Sequence, residues 1–485
     1  MATIMDSLDN VLPIVLSPGI TDSLPDVDPV ASRIALTTAG VQRSNFGQDW
    51  KVVHVFSTGG SGGFNWTTAT GDDTYATPNE SVFYNVSRTF PSAVQVSNLG
   101  TLQRTLTLRQ LNGSYVLPIH ILQADALDAA TIDYVNENTK QVARRAAQYI
   151  VNSLFSFNPR NGTDGTGVLC NLASSSCSTT TISATVGTIG RIGQLYNGML
   201  VDVYNSAGTV QKNVVSSTVV EAVIDNWDPV GKTFKIKTVA GGTFDNASGP
   251  PDTRITDGDI VVPRGSLGNT TGGFKGWIKS SGYIFNVAST TDGINLSTYP
   301  QFKSISQSVG AALNEVELSK YLTQFTEAYG GLVSLDSMIS SLGVMNAYVE
   351  ENYDAGRYQR QGEPIKIAGG WSVQPFVFNG RKYEWMTSTY MQPGYLWIAK
   401  LGNGNLKRYT PPPVVRGGPD GANVSFPQDV QFLNKIIKQP SVFKNLHTSS
   451  GATTELFEAP FFMFMEFAPM QPQSIELYGL TESPA

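Results

Sequence analysis

The apolar positions of the chain change period several times, and each change marks a different kind of element. Over residues 1–45, Pro13, Pro18, Pro25 and Pro29 interrupt any helical repeat, so the pattern predicts an extended arm that packs little against its own chain. The apolar run from Lys51 to Phe56 predicts a strand, which enters the bendable segment Gly59 to Gly63. Between Ser81 and Ile121 the period is two. Val82, Tyr84 and Val86, then Val94 and Val96, then Leu102, Leu106 and Leu108 alternate with other residues, and Asn112-Gly113 predicts a hairpin turn. This long β excursion brings no second apolar layer with it, which implies that another chain covers its apolar face.

The period then becomes helical. Ile132, Val135, Val142, Ala146, Tyr149 and Leu154 recur at helical spacings and predict an amphipathic helix from Asp128 to Phe155. Asp125 and Asp128 suit its positive N-terminal end. Such a helix spans roughly 40 Å and reads as a scaffold element. From Ile182 to Pro263 short strands return, at Met199 to Tyr204, Val219 to Ile224 and Thr233 to Val239, and predict an inserted small β barrel or sandwich. Asn314-x-x-Glu317 is a capping-box pattern for a helix carrying Leu318, Leu322 and Phe325, which Gly330-Gly331 closes. A second helix is predicted from Asp336 to Tyr353, on Met338, Ile339, Leu342, Met345 and Val349. The remainder reads as β and ends in the apolar strand Phe461 to Phe467 and the segment Ser474 to Leu480.

Composition narrows what such a chain does. Its 485 residues exceed the roughly 250–300 that one core supports, so several cores or a large insertion are expected. Charged residues are 15% of the chain, against about 25% in ordinary domains, and a neutral polar surface is cheap to desolvate over a large interface. A net charge of -6 with no basic run argues against tight binding to a phosphate backbone. Asp6 and Asp9 precede the first basic residue, Arg33, so no secretory signal is expected. The most apolar run, Phe461 to Phe467, contains Glu466 and falls far short of the roughly 20 residues of a membrane span, so no membrane association is expected. Cys170 and Cys177, in the Ser/Thr-rich stretch Leu169 to Thr181, either close one short loop or stay free in a reducing compartment, and the second is favoured.

Candidate chemistry is sparse. Gly59-Gly60-Ser61-Gly62-Gly63 matches a G-x-S-x-G nucleophile elbow, but Phe64 to Asp73 carries no helical pattern behind it, so a glycine hinge is the better reading. His54, His120 and His447 stand apart in no metal spacing. Gly231-Lys232-Thr233 is similar to the end of a phosphate loop, yet Asn226 stands where the first glycine belongs, so a turn is predicted. Asp225 and Asp228, and Asp257 and Asp259, flank turns without the ligand-rich loop that calcium needs. Trp371, Trp385, Tyr395 and Trp397 could stack sugars, but their alternation with apolar neighbours reads as sheet core. No catalytic, cofactor-binding or metal residue is assigned, no cofactor is expected, and the chain does not read as an enzyme.

The order of elements, together with three stretches of sequence, resembles the Hong Kong 97-type major capsid proteins of tailed bacteriophages. The stretches are ALDAATIDYVNENTKQVARRAAQYIVNSLF, from Ala126 to Phe155; Gly293 to Tyr353, with GINLSTYPQF and SLDSMISSLGVMNAYVEENY; and the closing MQPGYLWIAKLGNGNLKRY and LFEAPFFMFMEFAPMQPQSIELYGL. The resemblance implies an α+β fold with an N-terminal arm (1–45), an extended β loop with flanking strands (46–122), and the spine helix of a peripheral domain (123–165). A β-rich insertion (166–281), an axial domain with peripheral strands (282–455) and closing strands (456–485) follow. The implied function is structural: copies of the chain close into pentamers and hexamers of an icosahedral head, built in the bacterial cytoplasm, that encloses double-stranded DNA without specific contacts. Besides the chain itself, the resemblance implies a portal, either a separate scaffolding protein or none, and stabilisation by arm and loop burial, by the insertion or by a cement or decoration protein. The rival readings are a phage tail or fibre component or another surface β protein, and a serine hydrolase using Ser61. Some members of the family cross-link a loop lysine to a neighbour's asparagine. Here no lysine lies between Lys51 and Lys140, and the guanidinium groups of Arg88, Arg104 and Arg109 cannot replace one.

Overall fold

The computed structural model describes residues 16, 19–37, 49–57, 100–118, 129–158, 163–164, 167–178, 181–190, 192–245, 252–285, 293–330, 333–354, 365–366, 372–378, 380–402, 404–409, 414–417, 423–426, 430–432, 444–447 and 453–483. The helical period seen in the sequence forms helix α1, Ala129–Phe155. Its buried stripe is Ala143, Ala146, Ala147, Ile150, Val151 and Leu154, the three-and-four spacing of one helix face. The predicted face is therefore rotated. Val142 sits partly buried at the edge of the stripe, and Tyr149 turns to a different core; the side chains of Ile132 and Val135 lie outside the described residues. The helix crosses the strand Arg109–Pro118, where Asn138 Nδ2 donates to the Val116 carbonyl at 2.9 Å.

That strand pairs antiparallel with Leu456 to Met465 of the 17-residue strand Thr453–Pro469, an element about 55 Å long at the ordinary rise per residue. The turn predicted at Asn112-Gly113 does not form, because both residues sit mid-strand opposite Phe462 and Phe461. A Cβ at Gly113 would stand 2.6 Å from Phe461 Cζ. The glycine makes room for an aromatic ring lying across the strand, a use that a sequence pattern cannot tell from a turn.

The extended arm is corrected over residues 16–37. Residues 19–27 are helical, Leu16, Ile20 and Leu24 are buried in the core under α1, and Ala35–Thr37 runs parallel to Leu406–Tyr409. Leu16, Ile20 and Leu24 repeat every four residues; Pro25 lies within the helical residues 19–27 and Pro29 follows them, so neither proline forbids the segment.

Six strands close into a barrel in the order Ala222–Asp228, Thr233–Thr238, Thr181–Gly190, Cys170–Ser178, Ile260–Pro263 and Leu200–Tyr204. Alternate residues such as Phe234 and Ile236 fill its interior with Leu172, Ile182, Val203 and Ile224, and closure leaves the sheet without an edge. The barrel begins at Cys170 rather than at Ile182, since its Ser-rich first strand looks like a loop from composition alone. Cys170 and Cys177 lie seven positions apart on that one strand. They are thus about 23 Å apart, well beyond the roughly 7 Å that a disulfide tolerates. Cys170 is free, and burial pushes its thiol up to about 12.

A mixed seven-stranded sheet completes the fold, in the order Ile305–Ser308, Ile475–Tyr478, Leu396–Ala399, Ser337–Ser340, Arg381–Thr387, Ser372–Phe378 and Ile365–Lys366. Helices α2, Glu315–Tyr329, and α3, Leu342–Asp354, accompany it. Asn314 caps α2 by accepting from the Glu317 N–H at 2.8 Å, and Gly330 ends it in the left-handed conformation at φ 58°. The second predicted helix starts late: Met338 and Ile339 belong to the strand Ser337–Ser340, and α3 begins at Leu342. A central strand covered on both faces has no polar alternation, which is why it reads like helix. Met338, Trp385, Leu396 and Ile398 pack in one core with Leu318, Leu322 and Phe325 of α2. Their neighbours Ile339, Met386, Trp397 and Ala399 join the core built on α1.

Candidate assembly surfaces

The strands Asp49–Ser57 and Gly100–Thr107 pair antiparallel, from Asp49 opposite Thr107 to Ser57 opposite Gly100. They form a two-stranded sheet that joins no third strand among the described residues. At eight or nine residues each, the ribbon is about 27 Å long. Immediately after it Leu108 is buried in the core under α1, so that end is the root, and Lys51, opposite Thr105, lies close to it. A lone two-stranded ribbon is marginal in water, and its outer edges are templates for pairing with another chain. Residues 58–99, which hold the glycine hinge, Ser61 and most of the predicted alternating excursion, lie outside the described residues.

Behind the ribbon stands a frame held by buried polar groups. Glu476, fully buried, accepts from Lys275 Nζ, from Ser306 Oγ at 2.6 Å and from Trp397 Nε1 at 3.3 Å, which ties the edge strand Ile305–Ser308 to the sheet beside it. Asp28 accepts from Ser388 Oγ and from the Val30 N–H at 2.8 Å, docking the N-terminal segment on the sheet. Its burial pushes the carboxyl up to about 7, against the opposing pull of the Ser388, Val30 and Ala31 hydrogen bonds. Arg33 pairs with Glu384 nearby. In the barrel, Lys212 Nζ lies 3.0 Å from both carboxylate oxygens of Asp259, both side chains being buried. Such pairs fix one arrangement of the chain more than they add to its stability.

Among the described residues, those singled out for chemistry are not gathered into a site. His54 lies on the ribbon and His447 on the strand Lys444–His447, while Ser61, His120 and Trp371 fall outside the described residues. Asp228 Oδ1 accepts from the Val230 and Gly231 N–H groups, each at 3.0 Å, and Lys232 adopts φ 53°, so Gly231-Lys232-Thr233 forms a turn. Asp225 pairs with Lys237 at 3.1 Å, Asp259 with Lys212, and Asp257 is exposed at a turn. Among the described residues no three His, Cys, Asp or Glu side chains converge as metal ligands, and no helix is long and apolar enough to cross a membrane. Trp385 and Trp397 are core residues, donating their indole N–H groups to Ser340 Oγ at 2.8 Å and to Glu476. Tyr395 stacks on Tyr478 at 6.0 Å.

No protein-family model matches the chain, and no curated relative does. Solved structures similar to it include phage capsids and an encapsulin. The asymmetric unit of the cyanophage A-1(L) capsid is 10% identical, with 95% of this chain and 93% of that one covered at a TM-score of 0.39. The capsid of the native GTA particle is 9% identical over 94% and 90% of the two chains at 0.35. The SrpI encapsulin complex from Synechococcus elongatus PCC 7942 is 8% identical over 79% and 78% at 0.32. With so little identity, the reading of function rests on the geometry of the chain itself.

Proposed function

We propose that this chain is the major capsid protein of a tailed bacteriophage, a non-catalytic subunit with a Hong Kong 97-type fold. Its copies would close into pentamers and hexamers around double-stranded DNA, within a virion assembled in the host cytoplasm. In this reading α1 and the strand Thr453–Pro469 form the peripheral platform, and the seven-stranded sheet with α2 and α3 forms the axial domain. The ribbon with residues 58–99 is the extended loop, and the barrel is the insertion. The observation that carries the reading is the ribbon: rooted beside α1 and paired to no other strand among the described residues, it offers two strand edges on which another molecule can pair. Symmetric assembly supplies that molecule as a further copy of the chain. Because residues 16–37 pack into their own subunit, locking falls to the ribbon more than to an arm. Portal, scaffold and cement partners enter this reading through the resemblance alone.

Replacing residues 50–106 by a short Gly/Ser turn tests it. The shortened chain should fold, since the root residue Leu108 and the strand Arg109–Pro118 are retained, yet remain as dispersed subunits by light scattering while the full chain forms capsomers or shells. Assembly of the shortened chain to the same particles would overturn the reading.

A further inference from the structure

A cavity of about 330 Å³ opens where α1 meets the barrel, a volume at the lower end of small-molecule sites, which run from about 300 Å³. Four primary amides stand in its wall; Gln148 and Asn197 are exposed, whereas Asn152 from α1 and Gln194 from the short 3-10 turn Ile192–Gln194 are each 8% exposed. Gln194 Nε2 donates to the Tyr390 carbonyl at 3.3 Å, but its Oε1 is buried with no hydrogen-bond partner. The Asn152 amide, which is not among the buried unmatched groups, lines the same cavity. An unmatched buried amide oxygen destabilises a fold, so Gln194 Oε1, on a residue that lines the cavity together with Asn152, points to a ligand that completes it.

The rest of the lining defines the ligand's chemistry. Tyr149 and Tyr196 touch hydroxyl to hydroxyl at 2.9 Å, and the Arg145 guanidinium lies 5.5 Å over the Tyr196 ring. Trp227 presents an indole whose N–H is already engaged by the Ile192 carbonyl at 3.0 Å. Among the described residues no carboxylate, histidine or cysteine lines the cavity, so nothing there favours a cation, and a single guanidinium does not make a polyanion site. A nucleobase wants a slot between parallel rings, whereas these tyrosines meet at their hydroxyls and Tyr390 is stacked on Phe155. An amide donates and accepts at once, as a hydroxyl does, and aromatic rings suit the C–H face of a pyranose. We propose that this cavity binds a neutral sugar, a single pyranose ring or the end of a glycan. The proposal is independent of the shell reading, and it relocates sugar stacking from the sheet-core tryptophans to the junction of helix and barrel.

Saturation-transfer NMR on the intact, full-length protein tests it, with methyl α-D-glucopyranoside, methyl α-D-mannopyranoside and N-acetylglucosamine as probes and adenosine as the competing class. Saturable transfer to at least one pyranoside is expected. Gln194→Met and Asn152→Leu should each weaken it by about tenfold or more, the loss of one or two hydrogen bonds. Gln194→Met should also raise the melting temperature, by about 2 °C or more, because a buried unmatched amide oxygen is removed. A purely structural role for Gln194 gives the opposite sign in melting, and having two variants guards against one of them misfolding. The proposal is overturned by absence of transfer to all three pyranosides, by binding of adenosine alone, or by transfer that both variants leave unchanged.

Discussion

Gly273→Ala isolates the junction on which the whole frame turns. Gly273 has φ -109° and ψ -174°, an extended conformation open to any residue, so alanine there carries no backbone penalty. Without contacts the substitution would stabilise the chain by about 0.4–1 kcal/mol through the unfolded state. The new Cβ, however, would stand 2.4 Å from the Leu154 carbonyl oxygen and 3.0 Å from both the Leu154 carbonyl carbon and the Ser153 carbonyl oxygen. These atoms belong to the last turn of α1, which cannot easily retreat. Ser153 Oγ bonds Thr271 Oγ1 at 2.7 Å, and the Phe155 ring packs on Phe274 at 5.4 Å and Trp397 at 5.9 Å. Overpacking costs about 1–3 kcal/mol. With backbone rather than side-chain tips in the way, the upper part of that range applies, for a net loss of about 2 kcal/mol. Urea unfolding followed by tryptophan fluorescence reads the junction directly, because Trp277 and Trp397 lie in it. Gly19→Ala is the matched control: its Cβ meets only Ala143 Cβ at an ordinary 3.6 Å, so it should leave the midpoint unchanged or raise it. A Gly273→Ala protein that unfolds at or above the wild-type midpoint would refute the packing described at the end of α1.

Three further outcomes follow from the same geometry. Ile150→Asp, at a position 2% exposed, should abolish soluble expression by burying an unpaired charge at a cost of several kcal/mol; Val142→Asp, at the stripe edge, should be milder, and equal yields of the two would show the helix face to be misplaced. Asp28 stays protonated in the folded chain up to about pH 7 but ionises near 3.8 when unfolded. The folded state therefore holds the extra proton between those values, and stability should fall as pH rises through that window, by at most about 4 kcal/mol. Asp28→Asn, which can still accept from Val30 and donate to Ser388, should flatten that dependence in denaturation series run from pH 5 to 8. Boiled particles should run on a denaturing gel as one band near 52.2 kDa, since Lys51 sits near the root of the ribbon and no other lysine precedes Lys140; a covalent ladder linking Lys51 to an asparagine would contradict this.

Legibility from sequence followed the strength of the local signal. Helices α1 and α2 were readable because a long 3.6-residue period and an Asn314 cap with Gly330 behind it are local, redundant signs. The strand Ser337–Ser340 was misread because burial on both faces removes the polar alternation that marks a strand. Gly113 and the prolines around Leu16 to Leu24 were misread for a related reason, since Gly and Pro mark both turns and close packing, and only the partner, Phe461 or the core under α1, decides which. Of the chemical candidates, Gly231-Lys232-Thr233 forms the turn that the missing first glycine predicts, and Trp385 and Trp397 lie in the core. The unmatched Gln194 Oε1 left no trace in the sequence, because an unmatched side chain is visible only once its surroundings are in place.

The most direct test of the shell reading is electron microscopy of the purified full-length protein, imaged across salt concentrations at high protein concentration. Closed shells of uniform size, or five- and six-membered capsomers, are the predicted result. A population of dispersed monomers under every condition, including with host lysate present, would contradict it.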